Sequence, residues 1–190
     1  DAILGRAKAG TPVVGICGGF QMLGRELRDP EHVESPEEAA PGLGLLEVVT
    51  WFEREKATRQ VKARVLGGQG FLAGLEGQEV TGYEIHMGRT AGEGIPSAFL
   101  VVQTPAGPTH YPDGAVASGG QVWGTYLHGL FDNGNLRQGF LSYLRRRKGL
   151  PQGPAASLPT KEEQYDRLAD LVRASLDMNR LYRICGLPRP

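Results

Sequence analysis

Short apolar runs bounded by glycine, proline and polar residues recur along most of the chain. Runs of this kind predict strands, which we place at residues 13–16, 45–52, 60–66, 80–87, 99–103, 113–118 and 121–127. Apolar residues spaced three and four apart predict helices instead, which we place at residues 1–9, 20–27, 136–148 and 160–176. This mixture predicts an α/β fold in which helices flank an open, layered sheet.

Turn and cap residues sharpen several of these boundaries. Gly119-Gly120 separates the last two predicted strands and predicts a hairpin. Asn135 is expected to N-cap the helix that follows it. Thr160-x-x-Glu163 predicts a capping box at the start of an amphipathic helix that continues towards Leu181.

Three segments lack helical or strand periodicity and separate the predicted elements. Residues 29–44 and 105–112 predict surface loops, and residues 150–159, with three prolines, predict a linker. We therefore expect a principal domain over residues 1–149. Residues 150–190 are expected to form the linker and a C-terminal amphipathic helix that packs on this domain.

Composition excludes several classes of function. With 21 basic and 21 acidic residues the net charge is zero, so neither nucleic acid nor a membrane surface is an expected partner. No apolar stretch approaches the roughly 20 residues of a membrane span. The two distant cysteines, Cys17 and Cys185, predict free thiols in a reducing, cytoplasmic compartment. We predict no metal site.

Gly15-Ile-Cys17-Gly-Gly19 follows a predicted buried strand and precedes a predicted helix. This order resembles the nucleophile elbow, in which glycines make room for a nucleophile on a sharp turn. A helix N-terminus lowers the pKa of a nearby thiol, and the N–H of Gly18 is a candidate oxyanion-hole donor. A free cysteine is also a common small core residue, but the flanking glycines favour a nucleophilic Cys17.

A thiol nucleophile needs a base, and the chain offers four histidines. His32 and His110 fall in predicted loops and are interpreted as surface residues. His86 lies within a predicted strand, whereas His128 ends one and is followed by glycine. Catalytic groups of open α/β sheets gather at the carboxyl ends of strands, which favours His128 as the base for Cys17.

The motif Gly15-x-Cys17-x-Gly19-x-Gln21 resembles the signature of class I (triad-type) glutamine amidotransferases. The segments 82–88 (Gly-Tyr-Glu-Ile-His-Met-Gly) and 126–131 (Tyr-Leu-His-Gly-Leu-Phe), with a tail such as 165–179, resemble the cobyric acid synthase branch of that superfamily. The resemblance implies a flavodoxin-like fold and a glutaminase in which Gln21 lies along the bound glutamine.

The same resemblance implies that the chain is part of a longer polypeptide. It begins at Asp1, within a predicted helix, so the first strands of the fold and the loop with the second oxyanion donor are expected upstream. This chain alone is therefore expected to be a weak glutaminase without a cofactor of its own. An N-terminal synthetase domain, using ATP and Mg²⁺, is expected to amidate corrinoid carboxylates with the ammonia.

One departure from the family concerns the third member of the triad. Many class I enzymes carry Glu two residues after the catalytic histidine, where this chain has Leu130. Glu84 is a candidate for orienting His128 instead. The alternative is that Glu84 and His86 form a structural pair.

Two other functions stay open at this point. One is a related amidotransferase that acts on cobyrinic acid or on a cell-wall lipid intermediate. The other is a non-catalytic module of the same fold that binds a partner protein. Retention of Cys17, His128 and Gln21 favours an enzyme.

Overall fold

The computed structural model describes residues 2–153, 159 and 161–188. Helices α1 to α5 are Ala2–Lys8, Gly18–Leu23, Gly134–Arg147, Lys161–Ser175 and Met178–Cys185. Strands β1 to β10 are Val13–Ile16, Glu26–Arg28, Ala39–Pro41, Val49–Val65, Glu79–Ala91, Phe99–Thr104, Gly107–Asp113, Ala115–Val116, Val122–Thr125 and Leu127–His128. The predicted mixture of helices and sheets is confirmed.

The strands form two sheets that meet at the end of β9. In the smaller sheet β9 lies between β1, its parallel partner, and β8, its antiparallel partner. The larger sheet has the order β10-β5-β4-β2-β3, and the hairpin of β6 and β7 pairs with β4. The chain passes from the small sheet to the large one at Tyr126, between β9 and β10. The predicted hairpin across Gly119-Gly120 is the β8–β9 pair.

The small sheet is covered on both faces, because successive side chains of a strand point to opposite sides. Val122 packs into one apolar cluster with Phe20 and Leu23 of α2. Its neighbour Trp123 packs into a second cluster, which includes Leu136 of α3. This layering of helix, sheet and helix buries β9, the parallel partner of the strand that leads into the elbow motif.

Three predicted elements have different bounds. The helix predicted over 20–27 ends at Leu23, because Gly24 is extended and Leu27 pairs in β2 with both β3 and β4. The strands predicted at 45–52 and 60–66 are replaced by one long strand, β4. A register shift between Trp51 and Lys56 interrupts its pairing with β5.

Two predicted loops contain strand residues. Residues 105–112 were predicted as a loop but largely form β7, whose prolines are tolerated because β7 pairs only with β6 and is an edge strand. Residues 29–44 include the short strand β3, which also pairs on one side only. His32 and His110 are exposed, as expected of surface residues.

The prediction that Asn135 caps α3 is wrong. Asn133 occupies the N-cap position, and Asn135 lies in the first turn, where its Nδ2 donates to the carbonyl of Glu79. Sequence spacing alone placed the helix start two residues late, since Gly134 adopts the helical conformation despite its low propensity.

The chain forms two compact units, Asp1–Gln152 and Gly153–Pro190. The second contains α4 and α5, so the single helix predicted towards Leu181 is broken. Asp177 causes the break, since its carboxylate accepts from the N–H of Arg180 and caps α5. Thr160 of the predicted capping box lies outside the described residues, and packing of the C-terminal helix on the domain stays a prediction.

Among the described residues, no helix combines the length and apolarity needed to cross a membrane. Within the same residues, no three His, Cys, Asp or Glu side chains gather as a metal site requires.

Candidate active site

Cys17 lies on a strained turn between β1 and α2. Its φ of 54° and ψ of −120° are unusual for a residue with a side chain, and such conformations persist only where the surrounding structure enforces them. The N–H of Cys17 donates to the carbonyl of Thr125 at 2.9 Å, which ties the turn to the end of β9. Gly18 begins α2 directly after it. This is the strand–turn–helix geometry that the sequence predicted.

Two glycines on neighbouring strands create the space for this turn. Gly15 of β1 pairs with Gly124 of β9. A Cβ on Gly15 would lie 2.7 Å from the carbonyl oxygen of Gly19, and a Cβ on Gly124 would lie 2.2 Å from the ring of Phe20. Side chains at either position would push α2 away from the sheet, so both glycines are required by close packing.

The elbow faces one edge of β5. The Cys17 thiol donates to the carbonyl of Ile85 at 3.4 Å, and Nε2 of Gln21 donates to the carbonyl of Met87 at 3.0 Å. Carbonyls two residues apart on a strand point to the same side. Cys17 and Gln21 therefore occupy consecutive acceptors along the edge that β5 shares with β10.

Gln21 is buried and held in one orientation by a chain of hydroxyl groups. Its Nε2 also lies 3.3 Å from the hydroxyl of Tyr126. That hydroxyl is 2.6 Å from Oγ1 of Thr90, which in turn is 2.7 Å from Oγ1 of Thr50. Burial raises the pKa of Tyr126, so its hydroxyl stays protonated. Nε2 of Gln21 thus makes both of these contacts, and the amide oxygen points towards Gly18. It lies about 4.0 Å from the position that a Cβ on Gly18 would take.

His128 ends β10 and lies on the same stretch of β5. It pairs with Tyr83, and the two rings stack with planes 8° apart and centroids 5.1 Å apart. Its Nε2 is buried and has no hydrogen-bond partner among the described residues. Tyr83 and Ile85 are two positions apart on β5, or about 7 Å. The structure therefore places Cys17 and His128 at neighbouring positions along one strand edge.

A buried carboxylate fixes the passage between the two sheets. Asp113, at the end of β7, accepts from the hydroxyl of Thr125 and from the N–H of Tyr126. Oγ1 of Thr125 also accepts from the N–H of Leu127 at 3.0 Å. Burial raises the pKa of Asp113 to about 6, against the lowering effect of these hydrogen bonds. Because the carbonyl of Thr125 holds Cys17, Asp113 braces the backbone between the elbow and His128.

Glu84 and His86 lie on the other face of β5. The carboxylate of Glu84 is buried and accepts from Arg59 at 2.7 Å and from the hydroxyl of Tyr111 at 2.8 Å. His86 stacks on Tyr126 with 3.8 Å between ring centroids. Burial lowers the pKa of His86, which favours the neutral ring. Both residues border a cavity of about 460 Å³. Glu84 joins β4, β5 and β7, whereas Nδ1 of His86 lies 3.1 Å from the carbonyl oxygen of Gly88, so the hydrogen bonds of the two residues go to different partners.

Cys17, Gly18 and Gln21 of the predicted site lie together at the elbow, and His128 pairs with the same strand, β5, that Cys17 and Gln21 contact. Three contributors were not predicted, namely Tyr83, Tyr126 and Asp113. Of these three, Tyr83 is the residue that the sequence could have indicated, because it lies in the segment 82–88, which resembles known amidotransferases. The role of Asp113 depends on the junction of two sheets and has no local signal.

Comparison with solved structures supports the fold. A chain of the structure of PurLQS from Thermotoga maritima superposes with a TM-score of 0.54 at 20% identity. The match covers 75% of this chain and 66% of that chain. The match supports the mixed α/β fold, with sheets flanked by helices, that the sequence predicted.

Curated relatives are much closer in sequence. The chain is 47% identical to a cobyric acid synthase from Dehalococcoides mccartyi over 97% of its length, and 48% identical to those from Pelotomaculum thermopropionicum and Moorella thermoacetica over 100%. It spans only 36% to 38% of the length of these three relatives. Residues 1–136 match the family described as the CobB/CobQ-like glutamine amidotransferase domain. The chain therefore belongs to the CobB/CobQ-like glutamine amidotransferase domain family.

Proposed function

We propose that this chain hydrolyses glutamine with Cys17 as nucleophile and His128 as base, and that it supplies ammonia to a corrinoid amidation reaction in cobalamin biosynthesis. The observation that carries the first part is the convergence of three groups on one edge of β5. The Cys17 thiol and the Gln21 amide take consecutive carbonyls there, and His128 is paired two positions away. The second part is supported by the cobyric acid synthases to which the chain is similar.

The reaction begins with transfer of the Cys17 proton to His128. The buried Nε2 of His128 can accept it, because this atom has no hydrogen-bond partner among the described residues. The thiolate sulfur attacks the side-chain carbonyl carbon of glutamine, and the N–H of Gly18 is available to the resulting oxyanion. His128 returns the proton to the leaving nitrogen as the C–N bond breaks, which releases ammonia and leaves a glutamyl thioester. Water, deprotonated by His128, then cleaves the thioester and regenerates the thiol.

The amide of Gln21 contributes to substrate binding. Its oxygen is the free end of the side chain, because both contacts of Nε2 are made within the protein. This oxygen therefore presents an acceptor to a donor group of the glutamine substrate. Hydrogen bonds of this kind fix orientation at little entropic cost, because the Tyr126–Thr90–Thr50 chain holds Gln21 in advance.

Amidation of the corrinoid takes place elsewhere in the same polypeptide. The curated relatives are long enough to hold a second domain, since the matched region is about 37% of a relative from Moorella thermoacetica. Activation of a carboxylate by ATP and Mg²⁺ is assigned to that domain. The present sequence contains no Gly-x-x-x-x-Gly-Lys-Ser/Thr phosphate loop.

The test uses Cys17→Ala in the full-length protein. Glutamine-dependent amidation of a corrinoid diamide should be lost, while amidation supplied with ammonium salts should stay within about twofold of the wild type. Cys185→Ala is the matched control, since Cys185 is the other free thiol and is exposed. Loss of both activities in Cys17→Ala, or loss of neither, would contradict the proposal.

A further inference from the structure

His128 has an unusual environment for a catalytic base. Its Nε2 lacks a hydrogen-bond partner among the described residues, and the nearest buried carboxylate on β5, Glu84, is engaged by Arg59 and Tyr111. In Ser-His-Asp sites a carboxylate sets the orientation of the imidazole and stabilises the imidazolium. Glu84 does not supply these effects to His128, because its carboxylate is engaged by Arg59 and Tyr111, and the group that lies directly against the imidazole is the ring of Tyr83.

Tyr83 forms an offset stack with the imidazole, with 5.1 Å between the ring centroids. The two residues are directly paired between β5 and β10, and their ring planes differ by only 8°. The Tyr83 ring also extends to Gly129, where its Cε1 lies 3.5 Å from the position a Cβ would take. Gly82 permits this approach, because a Cβ there would lie 2.6 Å from the carbonyl oxygen of His128. The stack is thus held by the direct pairing of Tyr83 with His128 and by the close approach of Gly82 to the His128 backbone.

We propose that Tyr83 is a positioning residue for His128 and that its ring acts on the imidazole in two ways. The parallel ring restricts rotation of the imidazole, so that Nε2 keeps one orientation. The negative face of an aromatic ring attracts a cation, so Tyr83 also stabilises the imidazolium formed when Cys17 gives up its proton. This inference rests on the proposed glutaminase function.

Core packing does not account for Tyr83. Its side chain is 42% exposed, and it shares the outer face of β5 with Ile85, which is 40% exposed. Buried aromatic residues such as Phe99 and Trp123 contact each other inside the protein. Tyr83 instead makes its one ring contact among the described residues with His128. An exposed ring whose one aromatic contact in the described part of the chain is the base is explained by a role in the site.

The test compares Tyr83→Leu with Tyr83→Phe in the full-length protein. Leucine removes the aromatic face, whereas phenylalanine keeps it and loses only the hydroxyl. We expect kcat for glutamine hydrolysis to fall about tenfold in Tyr83→Leu and to stay within twofold in Tyr83→Phe. KM for glutamine and Tm should change little in both variants, because Tyr83 touches neither Gln21 nor the core. Tyr165→Leu, an exposed tyrosine in the C-terminal unit, is the surface control.

Three outcomes would overturn the inference. They are an unchanged kcat in Tyr83→Leu, an equal fall of kcat in both Tyr83 variants, or a rise in KM at constant kcat. Each is meaningful only if wild-type hydrolysis is abolished by Cys17→Ala. If hydrolysis survives in Cys17→Ala, the proposed function itself fails, so the two failures are distinguishable.

Discussion

The two halves of the site are held in different ways. On the elbow side, both functional side chains are hydrogen-bonded, with the Cys17 thiol on Ile85 and Gln21 on Met87 and Tyr126. On the base side, Nε2 of His128 has no partner among the described residues, and the ring is held by a stack and by its backbone. Both sides therefore depend on β5, but the nucleophile side is held by hydrogen bonds, whereas the base is held by ring stacking and strand pairing.

The Cys17 side of the site should be more sensitive than the His128 side to an enlarged side chain. In Gly15→Ala the new Cβ would lie within 2.8 Å of both carbonyl atoms of Gly19 and 2.6 Å from Cδ1 of Leu23. Overpacking of this kind costs about 1–3 kcal/mol, and a displacement of about 1 Å at the nucleophile costs roughly 100-fold in rate. Denaturant unfolding and glutaminase kinetics measure both effects.

Gly5→Ala is the control for this prediction, because nothing lies within 4 Å of a Cβ at that helical position. It should raise stability slightly, as alanine does within helices, and leave glutamine hydrolysis unchanged. Wild-type kinetics in Gly15→Ala would show that the elbow is less tightly packed than the structure indicates.

The base half should respond to pH through Asp113. Burial raises the pKa of this carboxyl from its ordinary 3.8 to about 6. Between these pH values the folded protein keeps a proton that the unfolded chain has released, so the contribution to stability is lost as pH rises from about 4 to 6. The free energy of unfolding of the wild type, relative to Asp113→Asn, should therefore fall by about 3 kcal/mol over this window.

Asp29→Asn gives a matched control with the opposite sign. Burial alone would raise the pKa of Asp29, but bonds from the backbone N–H groups of Val33, Glu34 and Ser35 hold it below its ordinary value. Its contribution to stability is present at neutral pH and is lost as pH falls below about 4. Parallel pH dependence in Asp113→Asn and Asp29→Asn would contradict the description of Asp113.

Tyr126 lies between the Cys17 side and the His128 side of the site. Removal of its hydroxyl should have the smallest effect of the changes considered. Tyr126→Phe removes the hydroxyl that contacts Gln21 and Thr90. A lost hydrogen bond of about 1 kcal/mol corresponds to a rise of about fivefold in KM for glutamine, with kcat nearly unchanged. Tyr143→Phe loses a comparable bond, to Gln121, and should leave both constants unchanged. A fall in kcat alone would place Tyr126 with the base instead.

The contrast also explains what the sequence could predict. Strand, Cys17, glycines and helix are contiguous, so the elbow was readable from local pattern. The length of α2 could not be predicted in this way. Leu27 continues the helical spacing of apolar residues, but the helix ends before Gly24 and Leu27 pairs in β2. Tertiary pairing overrode periodicity there.

The surroundings of His128 were not predictable in the same way. They arise from pairing of β10 with β5, and from Asp113 at the end of β7, a segment that its prolines made resemble a loop. Glu84 was the carboxylate proposed from the sequence to orient His128, because the usual position of the triad Glu holds Leu130. Its orientation towards Arg59 and Tyr111 depends on β4 and β7, which the local pattern does not reveal.

The most direct test of the account is labelling with a glutamine analogue that carries an electrophilic ketone, followed by peptide mass spectrometry. Cys185 is more exposed than Cys17 and serves as an internal control within the same molecule. The account predicts one label per protein, located on Cys17, blocked by excess glutamine and strongly slowed in His128→Ala. Labelling of Cys185 in preference to Cys17, or labelling of Cys17 at an equal rate in His128→Ala, would contradict it.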